Sequence, residues 1–151
     1  MQPPSQPGAG WFFLFAIFFP VFFLSLWCGI CCLLSLVGGW YSLSSKYGSS
    51  RTIAGQHFRF ASMSMGRGPL PVNYNGCLFV TVGEEGIAFS VLFLFRPLHP
   101  PLFIPWPAIE SCTQRNFWFF QRAVVTLTSP KRHMAFDGKV SKALLAYWDK
   151  E

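Results

Sequence analysis

This sequence predicts one N-terminal transmembrane helix followed by a mainly-β domain that a C-terminal amphipathic helix closes. Three observations predict it. Trp11 to Val37 runs for about 27 residues without a charged side chain, long enough to cross a bilayer. From Gln56 onward, short runs rich in Phe, Val and Ile alternate with Gly- and Pro-rich punctuation, the signature of about seven short strands. Val140, Ala143, Leu144 and Tyr147 then recur at i, i+3, i+4 and i+7, which is one face of a helix.

Residues 1–10 are an uncharged leader, mostly Pro, Gln, Ser and Gly. Residues 11–38 are the span. About 17 Leu, Ile, Val or Phe side chains between Trp11 and Val37 each favour insertion by roughly 0.3–0.6 kcal/mol, which outweighs the few hydroxyls. At about 1.5 Å per residue the run exceeds a core of roughly 30 Å, so tilt is expected. Pro20 removes one backbone donor, a defect that membrane helices tolerate. A cleaved signal peptide fits less well, because the leader carries no Lys or Arg and Gly38, Gly39 and Trp40 replace a small-residue cleavage site.

The basic residues set the expected orientation. Lys46, Arg51, Arg59 and Arg67 precede the first acid, Glu84, and form a candidate membrane-surface set. The positive-inside bias then places the C-terminal domain in the cytoplasm of a single-pass inner-membrane protein, with the leader outside. Within the span, Ser25, Cys28, Gly29, Cys32 and Ser35 make a strip of small residues, a candidate face for self-association or for a membrane-protein partner. Cys77 and Cys112 are expected to stay reduced in that compartment.

Residues 39–48 read as a juxtamembrane amphipathic helix. Trp40, Leu43 and Tyr47 share one face, and Gly48 is its stop. Residues 49–55 are a connector, and 56–151 are the β domain, long enough for a single core. Its expected strands begin with His57–Met65. A loop over residues 66–76 follows, ending in an Asn-Gly turn. Cys77–Val82 and Ile87–Phe95 form a hairpin across Gly83–Gly86. Leu102–Ile104, Phe117–Phe120, Ala123–Thr128 and Arg132–Phe136 supply the rest, and Asp137 with Gly138 opens the last helix.

This order of elements resembles pleckstrin-homology-like (PH) and GRAM-like domains. The hairpin text with Gly86, Ile87 and Phe89, then Leu102 to Trp106 and Ile109, is similar to the GRAM-type strands. The chain also resembles a family of small uncharacterised bacterial membrane proteins. It shares their Trp-x-x-Leu-x-x-x-Tyr stretch, here Trp40, Leu43 and Tyr47, and their Arg-x-x-His-Pro-Pro-Leu-x-Ile-Pro-Trp stretch, here Arg96 to Trp106. The resemblance implies a PH/GRAM-like fold and brings no activity with it.

Function classes narrow by what is missing. With 3 His and 6 Asp and Glu in the whole chain, and no Walker loop, HExxH or nucleophile elbow, no enzyme, cofactor or metal site is expected. The net charge of +6 on a tethered domain points to an anionic leaflet rather than to nucleic acid. Two stretches remain as candidate binding sites. Arg96 to Pro107 is a proline-rich segment that reads either as a strand-to-strand turn or as a loop presenting Arg96, His99 and Trp106; the bonds before Pro101 and Pro107 are candidate cis bonds. Arg115 to Arg122 sets four aromatics, among them Trp118, between basic residues, and one strand buries only every second side chain. The expected function is a membrane-anchored, non-catalytic protein-binding or scaffold module, an accessory subunit in kind. The alternative is an anionic-lipid-surface module in which Arg115, Arg122 and Lys131 hold headgroups while the aromatics insert.

Overall fold

The computed structural model describes residues 8–66, 69 and 71–150. Helix α1 (Ala9–Gly38) is one continuous helix of 30 residues that includes Pro20. It is long and apolar enough to cross a membrane. Gly39 ends it. With φ of +87° this residue adopts the left-handed conformation of a helix cap, and its N–H bonds the Ser35 carbonyl. The backbone angle favours glycine here, and a side chain would also displace the Arg132 guanidinium that lies against it.

Helix α2 (Trp40–Tyr47) starts directly after this break. Its periodicity is as expected, and its apolar face is covered by the β domain. Trp40 and Leu43 are fully buried and Tyr47 nearly so, all inside the core of the β domain, with the Tyr47 hydroxyl donating to Ser129 O at 2.7 Å. The domain core therefore draws on residues before the connector. After α2 the chain bridges from Gly48 to Leu102 and from Ser49 N–H to Pro101 O, which covers part of an otherwise open sheet edge.

Seven antiparallel strands follow in one curled sheet. They are β1 (Gln56–Gly66), β2 (Val72–Gly83), β3 (Gly86–Val91), β4 (Leu102–Pro105), β5 (Ile109–Phe117), β6 (Phe120–Leu127) and β7 (Arg132–Asp137), in the order β4-β3-β2-β1-β7-β6-β5. Alternation fills the concave side with Met63, Met65, Leu78, Val80, Ile87, Phe89, Val125, Leu127, Met134 and Phe136. Helix α3 (Gly138–Trp148) lays Val140, Ala143 and Leu144 on this core. The fold class is the one the sequence predicts.

Three local features differ from expectation. Asn75-Gly76 is not a turn between strands. Across it the register jumps from Met63↔Tyr74 to Ala61↔Leu78, so β2 carries extra residues against β1, and Gly76, at φ +63°, donates its N–H to Ser62 Oγ at 2.9 Å. A bulge needs a positive φ as much as a turn does, and Asn-Gly serves either. The strand expected over Ile87–Phe95 stops at Val91, and Phe93–Phe95 forms a 3-10 turn instead. The cis peptide bond is Ser129-Pro130, not one before Pro101 or Pro107.

Candidate functional site

The proline-rich segment folds back onto α1. Trp27 Nε1–H donates to Leu94 O at 2.9 Å, its ring lies 5.3 Å from that of Phe95, and Ser35 Oγ–H donates to Leu98 O. Ser35 is buried at this contact and Cys31 is buried near Tyr74, while Ser25, Cys28 and Gly29 stay exposed and Cys32 is half-buried. The upper end of the small-residue strip is thus occupied by the chain's own loop.

Of the three residues this segment was expected to present, only Arg96 is exposed. His99 is 2% exposed and Trp106 4%, so both side chains are packed inside the domain. His99 sits among aromatics, 5.1 Å from the Trp40 ring and 5.6 Å from Tyr74. Its Nδ1 lies 2.8 Å from Pro97 O and its Nε2 3.2 Å from the Tyr74 hydroxyl. Burial pushes the Tyr74 phenol above its ordinary range, so it keeps its proton as a donor. That assigns the neutral tautomer with Nδ1–H donating to Pro97 and Nε2 accepting from Tyr74.

Burial also lowers the His99 pKa from its ordinary 6.5, partly opposed by the bond to Pro97. The unfolded chain then binds the proton more readily than the folded one. The stability that His99 contributes is full above its ordinary value of 6.5 and is lost as pH falls towards and through the folded-state value. Amide exchange over Leu92–Pro101, corrected for intrinsic rate, should therefore accelerate on acidification from about pH 7.5 to about pH 5, and His99→Phe should flatten the response.

The aromatic run is the turn of a hairpin rather than a strand. Arg115↔Arg122, Asn116↔Gln121 and Phe117↔Phe120 are the last rungs of β5 and β6, and Trp118 and Phe119 form the two-residue connection. Such turns need positive φ, normally supplied by Asn or Gly; here Trp118 takes it, at +55°. Trp118, Phe119 and Phe120 are 88%, 91% and 71% exposed. Below the tip, Arg122 forms an ion pair with Asp137 of the neighbouring β7 rung, its Nη2–H donating to Asp137 Oδ2 at 3.2 Å. Arg122 is thus engaged in fixing the hairpin base, while Arg115 is exposed beside it. Lys131 lies beyond the opposite end of β6, past the Leu127↔Arg132 rung, so the structure does not gather Arg115, Arg122 and Lys131.

Phe120 also borders an open cleft of about 670 Å³, lined by Phe58 and Phe60 of β1 and by Lys139 and Val140 of α3. Phe60 is 64% exposed and has φ of +56° at the β1 irregularity. Nothing in the sequence singled it out; a Phe at a strand irregularity has no local signature. The expected membrane-surface residues are dispersed. Lys46 lies over the Tyr47 ring, Arg51 pairs with Glu85 and stacks on Phe103, and Arg59 lines the same cleft as Phe120. Arg67 and residues 1–7 lie outside the described residues.

Among the described residues, no group of three or more His, Cys, Asp or Glu is placed to hold a metal. His57 and His133 each meet a threonine hydroxyl, Thr81 at 2.8 Å and Thr126 at 3.1 Å. Burial, with a smaller contribution from Asp149, pushes the Cys112 thiol up to about 11, away from thiolate chemistry. No family model, curated protein or solved structure matches this chain.

Proposed function

We propose that this chain is a single-pass inner-membrane protein whose cytoplasmic PH/GRAM-like domain is a non-catalytic docking module for a protein partner. The observation that carries the reading is the hairpin tip, three consecutive aromatics at least 71% exposed on a base held by an ion pair. Aromatic anchors of this kind dominate binding energy at protein interfaces. A bulky residue in the left-handed region costs about 1–3 kcal/mol, and such strain is kept where it serves a function. Sheet order, with one long helix closing the concave side, supports the PH/GRAM-like description.

The tip lies at the far end of β6 from the foot of α1, and we read its occupant as a protein. Arg132, whose guanidinium lies against Gly39 at the end of α1, pairs with Leu127 at one end of β6; Trp118 lies beyond the other end. At about 3.4 Å per residue the two are separated by roughly 25 Å along the strands. The rim of the tip and cleft is basic, with Arg59, Arg115, Lys139 and Lys142 exposed and Asp137 already held by Arg122. A partner surface that is apolar at its centre and acidic at its edge fits both features.

The test is covalent capture in native membranes with the full-length protein and with a Trp118→Ala/Phe119→Ala variant. A partner recovered near stoichiometry by the wild type should be lost by the variant, consistent with hot-spot energies of about 2 kcal/mol or more. Stability should change by less than about 0.5 kcal/mol, because both side chains are exposed. Trp118→Gly sharpens the test. It relieves the left-handed strain, so it should hold or raise stability while still losing the partner. Equal recovery by wild type and variants would sink the proposal.

A further inference from the structure

We infer that the Phe93–Phe95 turn is itself embedded in the lipid beside α1, so that the β domain is seated in the membrane boundary rather than hung below it. The inference rests on the reading that α1 crosses a bilayer. Its basis is depth along the helix. Trp27, which bonds Leu94 O and contacts the Phe95 ring, is 16 residues after Trp11. At about 1.5 Å per residue this is roughly 24 Å from the start of the apolar run, inside a hydrocarbon core of about 30 Å. Tilt reduces the figure, and sliding the helix towards the leader would draw Pro, Gln and Ser residues into lipid, so neither lifts Leu94 out of the core.

The side chains agree with that depth. Phe93 is 79% exposed and Leu94 60%, and the helix residues Phe22, Phe23 and Leu26 that precede Trp27 are themselves more than half exposed. In water this would be a bare apolar patch against a bare apolar helix; in lipid both are solvated. Part of the turn's backbone is satisfied by the protein, as non-helical backbone at membrane depth requires: Phe95 N–H bonds Leu92 O, Arg96 N–H bonds Phe93 O, and Leu94 O receives the Trp27 indole N–H. The loop then leaves the core. Four residues on, Leu98 O meets Ser35, about 36 Å from Trp11, and exposed Arg96 falls between the two levels, where a guanidinium reaches headgroup phosphates.

Site-specific photocrosslinking in the full-length protein, reconstituted in vesicles of phosphatidylethanolamine and phosphatidylglycerol, tests this. Benzoylphenylalanine replaces Phe93, Phe22 or Glu85 one at a time; all three side chains are exposed, so folding is preserved and every cysteine is kept. Phe22 reports the span and Glu85 the aqueous face. Lipid adducts at position 93 comparable with position 22, and at least about tenfold above position 85, are the expected result. Adducts at 22 but only background at 93, or protein adducts replacing lipid adducts at 93, would overturn the embedded turn and leave the anchor standing. Background at 22 would overturn the anchor and the embedded turn together.

Discussion

Trp40→Ala should unfold the β domain or bring it close to unfolding, although Trp40 lies outside the strands. The side chain is fully buried, with its ring 5.3 Å from Tyr74, 5.4 Å from Phe89 and 5.1 Å from His99. Its indole N–H donates to Pro100 O at 2.9 Å. One side chain thus ties α2 to β2, to β3 and to the loop that docks on α1. Truncating a buried Trp costs about 3–5 kcal/mol, and the stranded Pro100 carbonyl adds to that, against a total of about 5–15 kcal/mol for a domain. With a urea m-value of about 2 kcal/mol/M, the unfolding midpoint read by pulse proteolysis in detergent should fall by at least about 1.5 M. Trp40→Phe keeps most of the ring contacts and should fall less. A midpoint within about 0.3 M of wild type would show that α2 is not part of the cooperative unit.

That prediction also marks where the sequence stops being informative. Long periodic segments were legible: α1 from its uncharged run, the β2–β3 hairpin from Gly83 to Gly86, and α3 from Val140, Ala143 and Leu144. In α2 the spacing of Trp40, Leu43 and Tyr47 identified the apolar face but not what covers it. An amphipathic stripe suits lipid and a protein core equally, and only the fold decides. The tip was misread for a different reason. Phe117–Phe120 has strand propensity throughout and none of the Gly, Asn or Asp that announces a hairpin, so tertiary pairing of β5 with β6 overrides the local signal. Asn75-Gly76 failed the opposite way, a strong turn signal absorbed into a strand as a bulge. His99 and Trp106 stood out by composition, yet their burial follows from contacts with residues 25 and 23 positions earlier and, for Trp106, with α3, none of which spacing reveals.

Trp106 separates a structural role from a binding role by experiment. It opens the 3-10 turn Trp106–Ala108, and its Nε1–H donates to Gly83 O at 3.0 Å in a buried bond that ties β4 back to the β2–β3 turn. Its ring lies 6.3 Å from Tyr147, nearly parallel, and 6.3 Å from Trp148, so the last turn of α3 rests on it. Trp106→Ala removes the platform and should cost about 3–5 kcal/mol. Trp106→Phe keeps a ring beneath α3 but leaves the buried Gly83 carbonyl without its donor, and should cost less, about 1–3 kcal/mol. Exchange of α3 amides should rise in the same order, wild type below Phe below Ala, because α3 loses its seat before the sheet opens. The Phe variant should still recover whatever partner depends on Trp118, since the hairpin tip is untouched. If Trp106→Phe instead abolished partner recovery while leaving the unfolding midpoint at the wild-type value, Trp106 would be a contact residue, and the proline-rich loop rather than the tip would be the docking surface.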